Sequence, residues 1–444
     1  MPFLHIRFRS VVFILRCTFY SVIEPGITVL VRNKISKNCI LNPDSLKSYS
    51  GVRQMAVREW MNRQQRVLAA IKLEPYDRVP VAPLLDFTFA VRHKELTIAQ
   101  GFADYPGVGW PAIVDLFDEV GGWDGFILPG WSQTPNPKHL FNGKSGIIKL
   151  PGKGLPENAM PRFMETEAMS QKDYNEIIKL GWNGWNDKIQ GKNKKITPDK
   201  MALWAERQIA QYRIEAQTWE KRGVPVLVGA IVNAPFMTLS TARSMEKFAV
   251  DIQRIPDKVQ AVMDAMTDDM INNTIEVTKL TGVRGVVLIL ERSGASYFPL
   301  AIFERFGIPY IKKMVNAFAA QDIITVLHFD QDWTLNLPYL RELPARMCVC
   351  ELDNKTDIFE AGEILKNHMC IAGNVPATLS ANGTPEEIES YCKKLIDNLG
   401  KETGFILSTG CTLPPDCQFE NFKKMINTAK EYYPYAPKAP PNLY

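Results

Sequence analysis

His328 and Asp330 occupy alternate positions of Val326-Leu327-His328-Phe329-Asp330, an apolar run that turns polar at its end. On a strand such residues project from one face about 6.5 Å apart, so an imidazole and a carboxylate stand side by side. Cys411 closes a second apolar run, and the turn Thr412-Leu413-Pro414-Pro415 after it exposes the thiol at a rim. Glu291 ends a third run, Gly285 to Glu291. Nitrogen, sulfur and oxygen donors meeting at one point, with a coordination position left open, describe a catalytic zinc site. The same residues admit a plainer reading: a lone histidine is often a hydrogen-bonded core residue, and cysteine is among the most buried types.

Bringing these donors together is the task of the elements that carry them. Eight runs rich in Val, Ile and Leu recur: Val79 to Asp86, Gly125 to Gly130, Pro225 to Asn233, Gly285 to Glu291, Ile323 to Asp330, Met347 to Asp353, Met369 to Asn374, and Gly404 to Cys411. Most are followed by a helical pattern, such as Ile358 to Lys366 or the helix start Thr384-Pro385-Glu386-Glu387. Apolar runs alternating with helices indicate parallel strands covered on both faces. Eight of them predict an α/β fold of the closed (β/α)8 TIM-barrel kind, with a doubly wound open sheet as the alternative. About 95 residues, roughly 131–223, separate the second and third runs, which predicts a long insertion there. It reads either as an elaborated loop with its own small core, around Trp182, Trp185, Trp204 and Trp219, or as a lid or docking surface for a large partner.

Catalytic groups of such a barrel sit at the carboxyl ends of its strands. Those ends hold Asp86, Trp131, Asn233, Glu291 with Arg292, His328 with Asp330, Glu351 with Asp353, Asn374, and Cys411. His328, Asp330, Cys411 and Glu291 are the expected metal ligands, Asp86 and Asn233 the expected catalytic groups, and Arg292, Glu351 and Asn374 the expected substrate contacts. Asn374, in Gly373-Asn374-Val375-Pro376, has the alternative role of capping its loop. Cys417 is a weaker ligand candidate. Cys348 and Cys350 share a strand face and read as packing residues.

Composition narrows the function classes. Of the 444 residues 46% are hydrophobic and 23% charged, a globular balance. The formal net charge is +4, but residues 1–54 carry eight Lys or Arg against Glu24 and Asp44, so the remainder sums to −2. Nucleic acid is therefore not expected as a partner. No run of about 18 apolar residues is uninterrupted, and no membrane partner is expected. Phe3 to Val31 is apolar but broken by Arg7, Arg9, Arg16, Glu24 and Pro25. It reads as an extension outside the fold, with a targeting segment as the alternative. The expected domain is residues 55–436, followed by a tail over 437–444. Six cysteines crowd positions 348–417 and none lies between 40 and 347, which fits reduced cytoplasmic thiols better than a disulfide framework. P-loop and dinucleotide fingerprints are absent. None of the five histidines has Asp two residues before and Gly three after, the lower-ligand pattern of a corrinoid-binding domain, so any corrinoid has to be carried by another chain.

Several segments together resemble the uroporphyrinogen decarboxylase superfamily. They are Gln65-Arg66-Val67-Leu68-Ala69-Ala70-Ile71, Asp77-Arg78-Val79-Pro80-Val81, Leu327-His328-Phe329-Asp330, Ala372-Gly373-Asn374-Val375-Pro376, Gly383-Thr384-Pro385-Glu386-Glu387 and Gly410-Cys411. The resemblance spans most of residues 58–430 and implies a (β/α)8 barrel. The decarboxylase branch holds its substrate carboxylates with an Arg-Gln-Ala-Gly-Arg type segment after the first strand. Here that stretch is Leu84-Leu85-Asp86-Phe87-Thr88-Phe89-Ala90-Val91-Arg92-His93, which offers an acid instead. The corrinoid and coenzyme M-type methyltransferase branch looks closer. Its coenzyme M members bind zinc through His-x-Cys and a later Gly-Cys, so His328 and Cys411 match, while Asp330 stands where the middle cysteine would be and Glu291 is a substitute or additional ligand. The resemblance implies transfer of a methyl group between a small O-methyl, N-methyl or thiol substrate and a separate corrinoid protein. A decarboxylase of porphyrin biosynthesis and a non-catalytic barrel are the alternatives.

Overall fold

The computed structural model describes residues 63–125, 147–192, 198–401 and 404–432. The expected extension, the first residues of the expected 55–436 domain, the second strand beyond Gly125, Trp131 and the 437–444 tail lie outside the described residues.

Among the described residues nine strands form two sheets. A small sheet holds β1 (Ile147–Pro151), β2 (Gly154–Leu155) and β3 (Arg162–Met164) in the order β2-β1-β3. The main sheet holds β4 (Ala230–Asn233), β5 (Gly285–Ile289), β6 (Ile324–Phe329), β7 (Cys348–Leu352), β8 (Cys370–Val375) and β9 (Phe405–Thr409), side by side in chain order and all parallel. Six of the eight expected runs thus form strands. The first, Val79 to Asp86, is reduced to one parallel bridge, Val81 to Leu407 on β9. Its end turns at once into the helix Phe87–His93, because the Asp86 carboxylate accepts the Thr88 amide and caps that helix.

Strand register explains which side chains meet. Ile231, Val287, Val326, Val349 and Cys370 form one row of partners across five strands. Four of them are buried in a cluster with Ala82, Leu84, Val67 and Ile71, against which Ile231 packs. Because side chains alternate with period two, the row two residues further on points to the same side: Asn233, Ile289, His328, Glu351, Ala372 and Ile406. Leu288, Leu327, Phe329, Cys348, Cys350, Leu352 and Ile371 face the other way, into the larger core beneath the helices Ile308–Ala319, Pro385–Leu399 and Phe419–Glu431. Cys348 and Cys350 are packing residues there, as expected.

Residues 147–221 build β1 to β3 and two long helices, Gln171–Lys192 and Pro198–Lys221. The first docks on Pro256–Thr281 through a buried set that includes Tyr174, Trp182, Trp185, Val262 and Met266. Gly181 breaks it at φ 71°, and Asp269 accepts the Asn183 amide to restart the helix.

The start of the fold is held by one buried carboxylate. Asp124 accepts Arg66 at 2.6 Å, Arg78 at 2.7 and 2.8 Å and the Val81 amide at 2.9 Å. Burial works to raise its pKa, but the Arg78 and Arg66 charges hold it below the ordinary aspartate value. The Arg66 and Asp77-Arg78-Val79-Pro80 segments of the sequence are thereby given a structural role. Asp124→Asn is expected to lose roughly 3 kcal/mol at pH 7 by leaving two guanidinium groups half-paired. Since the folded pKa is depressed, this contribution is full above about pH 4 and disappears as pH falls through the lower folded value. Urea unfolding of both proteins at pH 7 and in acid checks the loss and its convergence.

Candidate metal centre

His328 is placed by its strand and oriented by its neighbour. β6 and β7 pair it directly with Glu351, whose carboxylate has no solvent exposure and holds His328 Nδ1. Nδ1 is thus spent, and Nε2 faces outward. Glu291 Oε1 lies 3.6 Å from Nε2 and Asp330 Oδ1 3.9 Å. Cys411 completes the set: donor atoms of His328, Asp330 and Cys411 all lie within 4.8 Å of one another. Tetrahedral zinc keeps its ligand atoms about 3.3–3.8 Å apart, so the group needs only a small contraction to share an ion. These residues fit the metal chemically as well, since an imidazole backed by a carboxylate is the usual histidine ligand arrangement. Among the described residues Glu351 Oε1 finds no hydrogen-bond partner, and Oε2 is the oxygen that meets the His328 ring.

The electrostatics favour a cation between these groups. Burial alone would lower the His328 pKa, but the charge and hydrogen bond of Glu351, then Asp330 and Glu291, push it up to about 10. The Cys411 thiol is driven far above its ordinary value, first by burial and then by the negative charges of Asp330 and Glu351. Glu291 is raised by burial, with His328 opposing and Asp330 adding to the rise. Without a second positive charge His328 and the Cys411 thiol therefore hold their protons, and a divalent ion bound there would displace them.

The other expected residues fall in three places. Asn233 ends β4 on the site's face, in the same register row as His328 with Ile289 between them. Arg292 turns towards the segment after β3: it donates to Glu165 at 2.6 Å and the Ser240 carbonyl at 3.3 Å, with its guanidinium 5.8 Å from the Phe163 ring centre. Asn374 accepts Tyr391 Oη at 2.8 Å and donates to the Asp353 carbonyl at 3.3 Å. Glu351, expected at the substrate, lies instead behind His328, because strand pairing buries it there. Asp86, expected in catalysis, is engaged as a helix cap by the Thr88 amide and hydroxyl and has its pKa pushed up to about 6 by burial. The orienting role of Glu351 was missed by sequence reasoning. Its signal was the neighbouring position of two strand ends, His328 and Glu351, each two residues past an inward valine.

The family model described as Uroporphyrinogen decarboxylase (URO-D) matches residues 194–432. The methylcobamide:CoM methyltransferase MtbA of Methanosarcina mazei is 30% identical over 131 residues, 29% of this chain and 37% of that protein. A uroporphyrinogen decarboxylase of Chlorobaculum parvum is 30% identical over 133 residues, again 29% and 37% of the two chains. The chain thus aligns with little more than a third of the length of these relatives. A solved methyltransferase from Methanosarcina mazei, 16% identical, has the same fold: the TM-score is 0.60, over 83% of this chain and 98% of that one.

Zn2+ binding is expected to expel protons from His328 and Cys411, so its apparent affinity rises between pH 6 and pH 8, by up to about tenfold per pH unit for each proton released. Chelator-competition titrations at several pH values measure the slope, and a pH-independent affinity contradicts it.

Proposed function

The chain belongs to the uroporphyrinogen decarboxylase family, and from that premise we propose that it is a zinc-dependent, cytoplasmic methyltransferase. In this reading it moves a methyl group between a small substrate and a corrinoid carried by a separate protein. The observation that carries it is the convergence of His328, Asp330 and Cys411 donor atoms from two distant strand ends. Similarity to a methylcobamide:CoM methyltransferase supports the same reading.

The proposal takes residues 55–436 as one (β/α)8 barrel with an insertion at about 131–223. Six parallel strands in chain order and the Val81 bridge back to the last of them support closure. The site then lies at the barrel's mouth, where His328, Asp330, Cys411 and Glu291 hold Zn2+. The ion supplies Lewis acidity, either lowering the pKa of a substrate thiol or easing departure of an oxygen or nitrogen leaving group. Glu351 keeps the His328 ring turned so that Nε2 donates to the ion, and its charge raises the basicity of that nitrogen. Asp330 places an oxygen where the resembling methyltransferases have a second sulfur, which donates less charge and favours the leaving-group role. The direction this favours is demethylation of an O-methyl or related substrate. Asn233, on the same face, and Arg292, Asn374 and Asp86 near the strand ends are the remaining candidates for substrate contact and proton handling.

A second reading, a metal-free decarboxylase, is favoured by the similarity to the Chlorobaculum parvum protein. It makes Asp86 essential and chelation harmless.

Elemental analysis of purified protein is expected to give one zinc per chain, and the enzyme is expected to methylate cob(I)alamin from an O-methyl or related donor. His328→Ala and Cys411→Ala should lose metal and activity together, activity falling by roughly two orders of magnitude or more, while the fold survives. Glu351→Gln should weaken zinc binding about 10–100-fold. A metal-free, fully active enzyme overturns the mechanism, and an inactive Asp86→Asn variant of a chelator-resistant decarboxylase establishes the second reading.

A further inference from the structure

The two oxygen donors, Glu291 and Asp330, do not belong to strands. Glu291 opens the short 3-10 turn Glu291–Ser293 after β5, and Asp330 follows the last residue of β6. Turns of this kind need an outside fixture to hold a carboxylate within a few tenths of an ångström.

Both turns rest on the same side chain. Trp333 is fully buried. Its indole Nε1 donates to the Asp330 carbonyl at 2.9 Å. Its ring fills the space beside Gly294, three residues after Glu291: a Cβ built on Gly294 would lie 2.9 Å from Trp333 Cε2 and 3.2 Å from Nε1. Phe329 packs on the ring at 4.3 Å and Phe303 at 5.9 Å. The Trp333 amide donates to Thr356 Oγ1 at 3.0 Å, and that hydroxyl donates to the Gln331 carbonyl at 3.0 Å. Further bonds tie the same two loops: Asn336 accepts the Ala295 amide at 2.9 Å, and the Ser296 hydroxyl donates to the Asp332 carbonyl at 2.8 Å.

We infer that Trp333 is a positioning residue of the metal centre, a wedge whose indole N–H fixes the Asp330 carbonyl and whose ring packs against Gly294 beside the Glu291 turn, so that one side chain spans the two oxygen donors. The inference rests on the metal reading above and assigns a role to a residue that touches neither ion nor substrate. His328 and Cys411 are set by their own strand and turn and do not depend on the wedge. Losing it should loosen the oxygen side of the site and leave the nitrogen and sulfur donors in place.

The test compares three variants with the wild type. Trp333→Phe keeps an aromatic ring and removes the N–H; Gly294→Ala adds the Cβ that pushes against the ring; Phe303→Leu disturbs the packing of Trp333 without touching either loop contact. Zn2+ affinity is measured by competition with a chromophoric chelator, Co2+ loaded alone is read by its ligand-field spectrum, and thermal unfolding reports the fold. The expected result is a loss of Zn2+ affinity of about 10-fold or more in Trp333→Phe and in Gly294→Ala, with an altered Co2+ ligand-field band and a retained sulfur charge-transfer band. Phe303→Leu should lower thermal stability and keep wild-type affinity. Wild-type affinity in both Trp333→Phe and Gly294→Ala, or an equal loss in Phe303→Leu, overturns the inference while leaving the metal reading intact. A wild-type protein that binds neither ion overturns both.

Discussion

A carboxylate with no access to water must be matched by a partner, and Glu351 has one, the ring of His328 on the adjacent strand. That single pairing sets the character of the whole site. It makes the imidazole cationic when no other positive charge is near, aims the free nitrogen at the strand ends, and fills one register row with an acid–base pair above a layer of valines. Replacing the pair by apolar residues would cost the sheet little, so its value lies in what the outward nitrogen can hold.

Around that nitrogen the protein has gathered a sulfur and two oxygens, each from a different loop. In the metal reading the charge balance is self-consistent: a buried imidazole, a thiol held in its protonated form and the Glu291 carboxyl of raised pKa would all lose their penalty on entry of one dication. The mixed donor set is also a chemical statement. Two oxygens and one sulfur would make a harder site than two sulfurs, and an ion held there would withdraw more charge from whatever it touched.

Much of the main sheet was legible in the sequence because parallel strands buried on both faces are continuous apolar runs, and six such runs became β4 to β9. The first run was legible only as apolar: its strand pairing shrinks to Val81, and Asp86 is drawn into a helix cap by Thr88, a local bond that competes with extension. His328, Asp330 and Cys411 were legible as a set because each follows an apolar run, and the fold brings them together. What could not be read was which strand-end acid faces which neighbour. Glu351 and Asp353 look alike in sequence and share a parity, yet pairing hides the first behind His328, while the second lies past the strand end and accepts the Gln331 and Lys355 amides. The same holds for Asn374, whose bonds to Tyr391 and Asp353 join segments far apart in the chain.

Zinc X-ray absorption on the purified protein reads this donor set without recourse to activity. One sulfur scatterer at about 2.3 Å and nitrogen or oxygen scatterers at about 2.0–2.2 Å are expected, with the sulfur shell gone in Cys411→Ser. A zinc shell without sulfur in the native protein, or a sulfur shell that survives Cys411→Ser, contradicts the shared-ion site.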